Sequence, residues 1–239
     1  MSGRRPDQSV RIATTLQRWE SLAFVHWPYA PDDIAALLPP GLVPDVVDGS
    51  AWVGVTPFLM RGVRLPGVPA VPGWSEFAEV NVRTYVRHPR SGTDGLWFLA
   101  LVCPRRAVVG ALRAVGLPYH RGEGWAHDDA EAVSYRVRVA GGDVLSARVV
   151  PGERIVDPDP WLVSVTGRWG AYTRRAGRLW RVPVEHAPWP LHVASAPHLS
   201  TDLVQRCGLP RPVGVPHVSW SPGVDVRIGV PHPMPDAPG

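Results

Sequence analysis

The segment Phe77-Ala78-Glu79-Val80-Asn81-Val82-Arg83-Thr84-Tyr85-Val86-Arg87 alternates apolar and polar side chains at almost every position. Because successive side chains of a strand point to opposite faces, this period of two predicts a β-strand. One face then carries Ala78, Val80, Val82 and Val86. The other carries Glu79, Asn81, Arg83 and Tyr85. The polar face therefore offers a carboxyl, an amide, a cation and a phenol in a single row.

Two interpretations of this polar row remain open from spacing alone. An antiparallel strand with one face in water shows the same alternation. A strand of a large barrel also shows it when polar side chains line an internal cavity. Alternate positions lie roughly 6.6–7 Å apart, so Glu79 and Arg83 can both point into one small-molecule cavity. In that case an acid/base carboxylate would stand beside an anion clamp.

In the rest of the chain the spacing of prolines and glycines is typical of a β-rich fold. The 28 prolines and 24 glycines break it into short segments, most of which alternate with period two. Predicted strands span residues 21–27, 51–60, 77–87, 96–103, 132–140, 144–150, 179–186 and 224–230. Predicted helices span residues 31–38, 105–115, 160–166 and 201–207. No strand alternates with a long helix in the manner of parallel α/β folds.

These elements predict a mainly β (α+β) fold, a single antiparallel β-barrel or strongly curved sheet with a few peripheral helices. A sandwich and a pair of β subdomains are the alternatives. The predicted domain covers residues 15–230. Residues 1–14 are expected to form a flexible N-terminus and residues 231–239 a flexible tail, because both ends are short and rich in polar residues, proline or glycine.

Composition excludes several functions. All 25 basic residues are arginine, so no side chain can form a Schiff base with a ketone or aldehyde, which needs a lysine amine. The net charge is +4, but the arginines are scattered, and we expect no nucleic-acid binding. No signal peptide or run of eighteen apolar residues is present, which predicts a cytoplasmic protein without membrane contact. The two cysteines, Cys103 and Cys207, form no disulfide framework.

Other polar clusters are less specific. The string Gly116-Leu117-Pro118-Tyr119-His120-Arg121 offers a hydroxyl, a group that titrates near neutrality and a cation, but a solvated turn has the same composition. His186, His192 and His198 are interrupted by Pro188-Trp189-Pro190, which prevents a helix from aligning them, so no metal site is predicted. That proline-tryptophan string instead predicts a rigid crossover packed on the barrel. His26 ends the first strand and is more typical of a core histidine. No nucleotide or cofactor motif occurs, and no cofactor is expected.

The order of several strings resembles a known family. They are His26-Trp27, Glu79-Val80-Asn81-Val82-Arg83-Thr84-Tyr85-Val86, Leu117-Pro118-Tyr119-His120 and His186-Ala187-Pro188-Trp189-Pro190-Leu191. Together they resemble the YqjF-like bacterial family of unknown function, which belongs to the acetoacetate decarboxylase-like superfamily. The resemblance covers residues 15–230. It implies a cone-shaped antiparallel β-barrel around a central cavity.

The resemblance also assigns roles. Acetoacetate decarboxylases carry Gly-Phe-Pro-Lys-Lys, in which the first lysine forms the imine and the second lowers its pKa. Here the corresponding string is Gly116-Leu117-Pro118-Tyr119-His120, so Tyr119 and His120 replace the two lysines. Glu79 matches the cavity glutamate of those enzymes. Their substrate-binding arginine near the first strand has no clear match.

Three functional hypotheses follow. The first is a non-covalent enzyme for a carbonyl or β-keto substrate, with Glu79, Tyr119 and His120 as catalytic residues and Arg83, Asn81, Tyr85 and His26 as substrate-binding residues. The second is a binding or sensor barrel without catalysis. The third is a structural or protein-interaction module whose interior is filled with side chains. The expected partner is a small organic molecule that is anionic or carries a carbonyl, and a homo-oligomer is compatible with the sequence.

Overall fold

The structure is a computed structural model that describes residue 3 and residues 5–235. It contains fourteen strands and four helices within these residues. The strands are β1 (Ala13–Tyr29), β2 (Val43–Pro44), β3 (Ala51–Arg64), β4 (Phe77–His88), β5 (Thr93–Cys103), β6 (Tyr119–Arg121), β7 (Glu123–Asp128), β8 (Val133–Val139), β9 (Gly142–Arg154), β10 (Gly170–Arg175), β11 (Arg178–His186), β12 (His192–Thr201), β13 (His217–Gly229) and β14 (His232–Pro233). The helices are α1 (Pro31–Ala35), α2 (Arg106–Ala114), α3 (Pro160–Thr166) and α4 (Leu203–Arg206).

Seven strands close into a barrel in the order β1, β3, β4, β5, β10, β11 and β13. The pairing of Val184 with Ile228 and of His186 with Val226 joins β11 to β13 and completes the ring. This arrangement confirms the predicted mainly β barrel with a few helices. The barrel is mixed, however, and the prediction of a purely antiparallel one needs correction. Strands β5 and β10 pair in parallel. The long stretch of chain between them supplies the crossover that a parallel pair requires.

A second layer covers part of the barrel from outside. From β13 the sheet continues through β12, β9, β8 and β7, and this extension folds back over the barrel wall. Between the layers lies an apolar core in which Val80 and Val82 of β4 pack with Val133 and Leu145 of the outer sheet. The hydroxyl of Tyr135, also in this core, donates to the backbone oxygen of Ser21 at 2.6 Å. The outer sheet thus shields the apolar face of β4 from water, which stabilises the fold.

The barrel interior forms a separate core with a different composition. Phe24, Phe58, Tyr85 and Tyr119 belong to it, together with Trp189 from the connection between β11 and β12. The indole nitrogen of Trp189 donates to Thr166 at the end of α3 at 3.0 Å, so this proline-rich connection is anchored on the barrel as the sequence predicts. Helix α3 begins after Asp159, whose carboxylate accepts from the backbone of Leu162.

Each of the eight predicted strands is present, and the largest change is at the first. The strand predicted for residues 21–27 extends to Ala13–Tyr29. Six strands were not predicted: β2, β6, β7, β10, β12 and β14. Most are short or carry residues with low β propensity, such as Pro197 within β12. Some of them, such as β2 and β12, pair with strands from distant parts of the chain, which stabilise the extended conformation.

The helices agree with the sequence in position but are short. Residues 160–166 form a helix as predicted, and the helix predicted for residues 105–115 spans Arg106–Ala114. The helices predicted for residues 31–38 and 201–207 are shorter in the structure and span Pro31–Ala35 and Leu203–Arg206. Within the described part of the chain, no helix has the length and apolarity needed to cross a membrane.

The described parts of both chain ends contact the barrel. The oxygen of Gly3 accepts from the Trp169 indole at 2.9 Å, and Asp7 forms an ion pair with Arg181 at 2.9 Å. The N-terminal segment therefore packs across one end of the barrel. At the other terminus, His232–Pro233 pairs with β11. Residues 1, 2, 4 and 236–239 of the two predicted flexible ends lie outside the described residues.

The close contact between β1 and β13 depends on one glycine. Gly223 lies opposite Glu20 and has a φ of 131°, a conformation that L side chains rarely adopt. A Cβ atom at this position would lie 2.1 Å from the backbone oxygen of Trp19. The close approach of the two backbones therefore requires glycine.

We expect Gly223→Ala to lower the free energy of unfolding by roughly 3 kcal/mol or more, because it combines an unfavourable φ with a clash against backbone. Gly141→Ala is the matched control. Gly141 has a φ of 104°, but a Cβ there meets no atom within 4 Å, so only the conformational cost remains. Urea denaturation of both variants checks this prediction, and equal losses would contradict it.

Candidate active site

The polar row of β4 lies inside the barrel. Glu79, Asn81, Arg83 and Tyr85 are all at most 6% exposed. The opposite face of the strand is covered by the outer sheet, so residues 77–86 are buried on both sides. The interpretation in which the polar face looks at water is therefore wrong. Closure of the sheet, which the sequence of β4 alone does not reveal, turns this face inward.

Glu79 and Tyr119 form a pair at one level of the interior. The Tyr119 hydroxyl lies 3.2 Å from both carboxyl oxygens of Glu79. Leu101 of β5 pairs with Tyr119 of β6 on one side and with Asn81 of β4 on the other, which brings the tyrosine to the carboxyl group. Cys103 lies nearby, and burial raises the pKa of its thiol to about 11, with a further contribution from the Glu79 charge.

Burial dominates the electrostatics of this pair. It raises the pKa of Glu79 to about 8, although the hydrogen bond from Tyr119 acts in the opposite direction. The pKa of Tyr119 is raised well above its usual value, mainly by burial and then by the Glu79 charge. At neutral pH Glu79 therefore holds its proton, and its carboxyl group accepts the hydrogen bond from the Tyr119 hydroxyl. Its pKa near the working pH is typical of a group that transfers protons.

Arg83 is a buried cation that has no counter-ion among residue 3 and residues 5–235. Its guanidinium donates from Nε to the Tyr85 hydroxyl at 3.4 Å and from Nη2 to the oxygen of Val165 at 3.5 Å, both long contacts. Its Cζ atom lies 5.3 Å from the centroid of the Phe24 ring. Among the described residues, no carboxylate oxygen lies within 4.0 Å of this guanidinium.

The other two buried arginines differ from Arg83 in this respect. Arg168 forms ion pairs with Asp45 at 2.6 Å and Asp94 at 3.3 Å. Arg181 pairs with Asp7 at 2.9 Å. Because burial of an unpaired charge is costly, proteins normally compensate it. Arg83 lacks that compensation, and the barrel interior around it is therefore suited to an anion.

His26 and Tyr85 stand beside Arg83. His26 Nε2 lies 2.6 Å from the Tyr85 hydroxyl, and both side chains are buried. The pKa of His26 is lowered well below its usual value, first by burial and then by the charge of Arg83. Gly54 makes room for this pair, because a Cβ atom there would lie 3.0 Å from His26 Nε2 and 3.2 Å from the Tyr85 hydroxyl. Gly54 also lies opposite Arg83 in the sheet.

His120 is not part of this cluster. It follows Tyr119 directly in β6 and is exposed, whereas Tyr119 is buried against Glu79. Consecutive residues of a strand point to opposite sides, so the two cannot both face the interior. The prediction that His120 shares the site with Tyr119 is therefore corrected. Burial and the charge of Arg113 lower the pKa of His120 where it lies.

His186 is an interior residue that the sequence did not single out for the site. Its Nδ1 atom lies 2.7 Å from the oxygen of Ala187, so Nδ1 donates and Nε2 carries the lone pair. Burial lowers its pKa to about 4, with Arg83 adding to the shift. Its ring packs between Trp169 and Trp189, at centroid distances of 4.5 and 4.6 Å. No sequence signal separates His186 from the histidines of β12, and its position in the barrel interior is seen only in the structure.

The three histidines that resemble a metal set in spacing are separated in space. His192 contacts the oxygen of Gly152, and His198 contacts Ser146 on β9, while His186 lies in the barrel. Within residue 3 and residues 5–235, no three histidine, cysteine, aspartate or glutamate side chains converge as a metal-binding group.

Comparison with known proteins identifies the family. The chain belongs to the family DUF2071, described as "Uncharacterized conserved protein (COG2071)", which matches residues 16–225. It is 29% identical over 216 residues to "Uncharacterized protein YqjF" of Bacillus subtilis (strain 168), and the match covers 88% of each chain. The resemblance seen in the sequence is thereby confirmed.

Solved structures with the same fold are acetoacetate decarboxylase-like enzymes. The enduracididine biosynthesis enzyme MppR complexed with pyruvate superposes with a TM-score of 0.68 at 15% identity, over 96% of this chain and 94% of that one. Acetoacetate decarboxylase of Legionella pneumophila superposes with a TM-score of 0.65 at 14% identity, over 96% and 92%. At such identities the likeness establishes the fold alone.

The raised pKa of Glu79 predicts a pH-dependent cost to stability. The unfolded chain releases the proton near pH 4.5, whereas the folded protein holds it to about pH 8. Stability present below pH 4.5 is therefore lost as pH rises to about 8. We expect Glu79→Gln to remove this loss. Relative to wild type, the free energy of unfolding of the variant should then increase by up to roughly 4 kcal/mol at pH 9.

Urea denaturation between pH 5 and pH 9 measures this difference. Other titrating groups are shared by the two proteins and cancel in the comparison. The exposed Glu153, changed to Gln, is the control and should show no such trend. A difference between Glu79→Gln and wild type that stays constant over this range would contradict the assignment.

Proposed function

We propose that the barrel interior binds a small carboxylate through Arg83 and that the protein catalyses proton transfer on a carbonyl-bearing substrate without a covalent imine. The observation that carries this proposal is the unpaired guanidinium of Arg83. It is 5% exposed, and the aromatic ring of Phe24 lies beneath it. A ligand carboxylate would supply the counter-ion that the chain does not, through a bidentate pair.

Glu79 and Tyr119 are the proposed catalytic pair. Glu79 and Arg83 are four positions apart along β4, which places their Cα atoms roughly 13 Å apart. Both side chains are long, so the distance between the carboxyl group and the guanidinium is shorter. A ligand whose carboxylate is held by Arg83 would thus have its other end near Glu79. Ionised Glu79 would take a proton from the carbon next to the carbonyl and return it as the acid. Tyr119 would donate a hydrogen bond to the oxygen on which negative charge develops.

This pathway differs from acetoacetate decarboxylation through an imine. By the sequence resemblance, Tyr119 matches the nucleophilic lysine of the decarboxylases. The chain contains no lysine at any position. A phenol whose pKa lies well above its usual value is a hydrogen-bond donor, not a nucleophile that condenses with carbonyls. Aldol-type, dehydration, cyclisation and tautomerisation reactions all require the proposed proton transfer.

The fold relatives support the class of ligand. MppR has been obtained in complex with pyruvate and with the condensation product of pyruvate and imidazole 4-carboxaldehyde, by the names of those structures. Pyruvate combines a carboxylate with a carbonyl, the two groups for which Arg83 and the Glu79–Tyr119 pair are suited. The proposed partner is therefore a small organic acid of this kind.

Exchange of solvent deuterium into pyruvate and levulinate, followed by proton NMR, tests the catalytic step directly. We expect wild-type protein to accelerate exchange next to the carbonyl. Glu79→Gln and Tyr119→Phe should each reduce the rate by roughly 100-fold, the usual contribution of a positioned acid/base group. Arg83→Met should weaken binding by roughly 30-fold or more, because it removes a buried charge partner.

Arg138→Met on the surface is the matched control for loss of one positive charge, and it should exchange like wild type. If Glu79→Gln and Tyr119→Phe both exchange at the wild-type rate, the catalytic assignment is wrong. Binding that depends on Arg83 without any exchange by wild type identifies the alternative function, a binding or sensor barrel. That alternative is supported by the same unpaired guanidinium, since an anion can satisfy it without turnover.

Borohydride reduction in the presence of acetoacetate tests the absence of an imine. Mass spectrometry of the reduced protein and its peptides should reveal no adduct on any side chain, because only the N-terminal amine can condense with the ketone. A trapped adduct on an internal peptide would overturn the non-covalent assignment.

A further inference from the structure

Several polar atoms in the barrel wall have no hydrogen-bond partner among the described residues, Nδ1 of His26 among them. Three others are Oγ1 of Thr56, Oδ1 of Asn81 and Oγ of Ser219. All three side chains are buried, and the hydroxyls of Thr56 and Ser219 are fully enclosed by the protein. Buried polar atoms of native proteins nearly always have a partner, so three exceptions in one wall require an explanation.

The three atoms lie on one side of the sheet. Thr56 of β3 is directly opposite Asn81 of β4, so their side chains project together into the barrel. Ser219 of β13 is directly opposite Phe24 of β1, an interior residue, and therefore projects inward as well. Asn81 is the residue of the polar row between Glu79 and Arg83. Since β13, β1, β3 and β4 are consecutive in the barrel, the three atoms lie along one continuous stretch of its wall.

Other buried hydroxyls of the protein are bonded. Thr84 donates to Trp52, Thr166 to Leu162, Thr173 to Val115 and Ser164 to Trp161, while the hydroxyls of Ser75 and Ser221 accept from backbone nitrogens. Thr56 and Ser219 are the only two of the eight buried serine and threonine residues described that lack a bond. Among the described residues, the two unbonded buried serine and threonine hydroxyls thus both lie in the barrel wall near the proposed site.

We propose that Thr56, Asn81 and Ser219 bind hydroxyl groups of the ligand, so that the substrate is a short hydroxylated carboxylic acid. This inference rests on the proposed function, in which Arg83 holds the carboxylate. The amide oxygen of Asn81 only accepts hydrogen bonds, so the ligand must donate one there. An ammonium group would meet the uncompensated charge of Arg83, which leaves a neutral hydroxyl as the donor.

Thr56 and Ser219 extend this recognition. Each hydroxyl both donates and accepts, so each can bind a second or third oxygen of the same chain. The carboxylate end then lies at Arg83, the hydroxylated middle at these three side chains and the reacting carbonyl toward Glu79. An unsubstituted chain would leave the three atoms unbonded, and the site therefore discriminates against it.

Binding of two six-carbon acids, gluconate and hexanoate, measured by calorimetry, separates hydroxyl recognition from carboxylate recognition. We expect wild type to bind gluconate at least 10-fold more tightly than hexanoate. The double variant Thr56→Val with Ser219→Ala should lose most of this preference and keep its affinity for hexanoate. Thr84→Val, at a bonded hydroxyl on the outward face of β4, is the matched control and should keep the preference.

Thermal unfolding without ligand provides an independent measurement. Thr56→Val should raise the melting temperature by roughly 2–4 °C, because valine fills the same space without an unbonded polar atom. Thr84→Val should lower it. A lower melting temperature for Thr56→Val would mean that its hydroxyl already has a partner within the fold, and this would overturn the inference.

The outcomes distinguish this inference from the function on which it rests. Equal affinities for gluconate and hexanoate, both lost in Arg83→Met, would overturn hydroxyl recognition and leave the carboxylate site intact. A preference for gluconate that survives in the double variant would also overturn it, since other groups would then recognise the hydroxyls. Failure of both acids to bind would overturn the inference and the proposed carboxylate site together.

Discussion

The structure depends on the burial of β4 on both of its faces. Its apolar face packs against the outer sheet through Val80 and Val82, while its polar face lines the barrel. A strand with one face in water could carry the same sequence without cost, whereas a doubly buried one must place each polar group in the interior. The ring closure between β11 and β13 and the extension of the sheet from β13 to β7 impose this condition.

Glu79 and Arg83 of that polar face meet the condition in different ways. Glu79 becomes neutral, since burial raises its pKa to about 8 and Tyr119 is its hydrogen-bond partner. Arg83 cannot become neutral and has no carboxylate near it among the described residues. Burial lowers the pKa of His26 and His186, and the charge of Arg83 adds to both shifts. The interior thus combines a retained proton with an uncompensated positive charge, as suits a site for an anion that undergoes proton transfer.

Much of the fold was predictable because period-two alternation is a local signal. All eight predicted strands are present, and the mainly β class follows from their number and spacing, whereas the choice of a barrel over a sandwich came from the family resemblance. Strands such as β2 and β12 were missed, since they depend on distant partners more than on their own residues. The parallel pairing of β5 with β10 likewise follows from the path of the chain around the barrel. Of the site, the row Glu79, Asn81, Arg83 and Tyr85 was recognisable, but the unpartnered hydroxyls of Thr56 and Ser219 were not.

The sequence by itself determined that no side-chain imine can form, because no lysine occurs at any position. It also determined which residues of β4 share a face, because that depends only on the geometry of a strand. Only the tertiary structure decided that this face is the interior one and that His120 points away from it. Only the tertiary structure separated Arg83 from every described carboxylate while pairing Arg168 and Arg181. Such decisions depend on which distant strands become neighbours, and a local pattern carries no information about that.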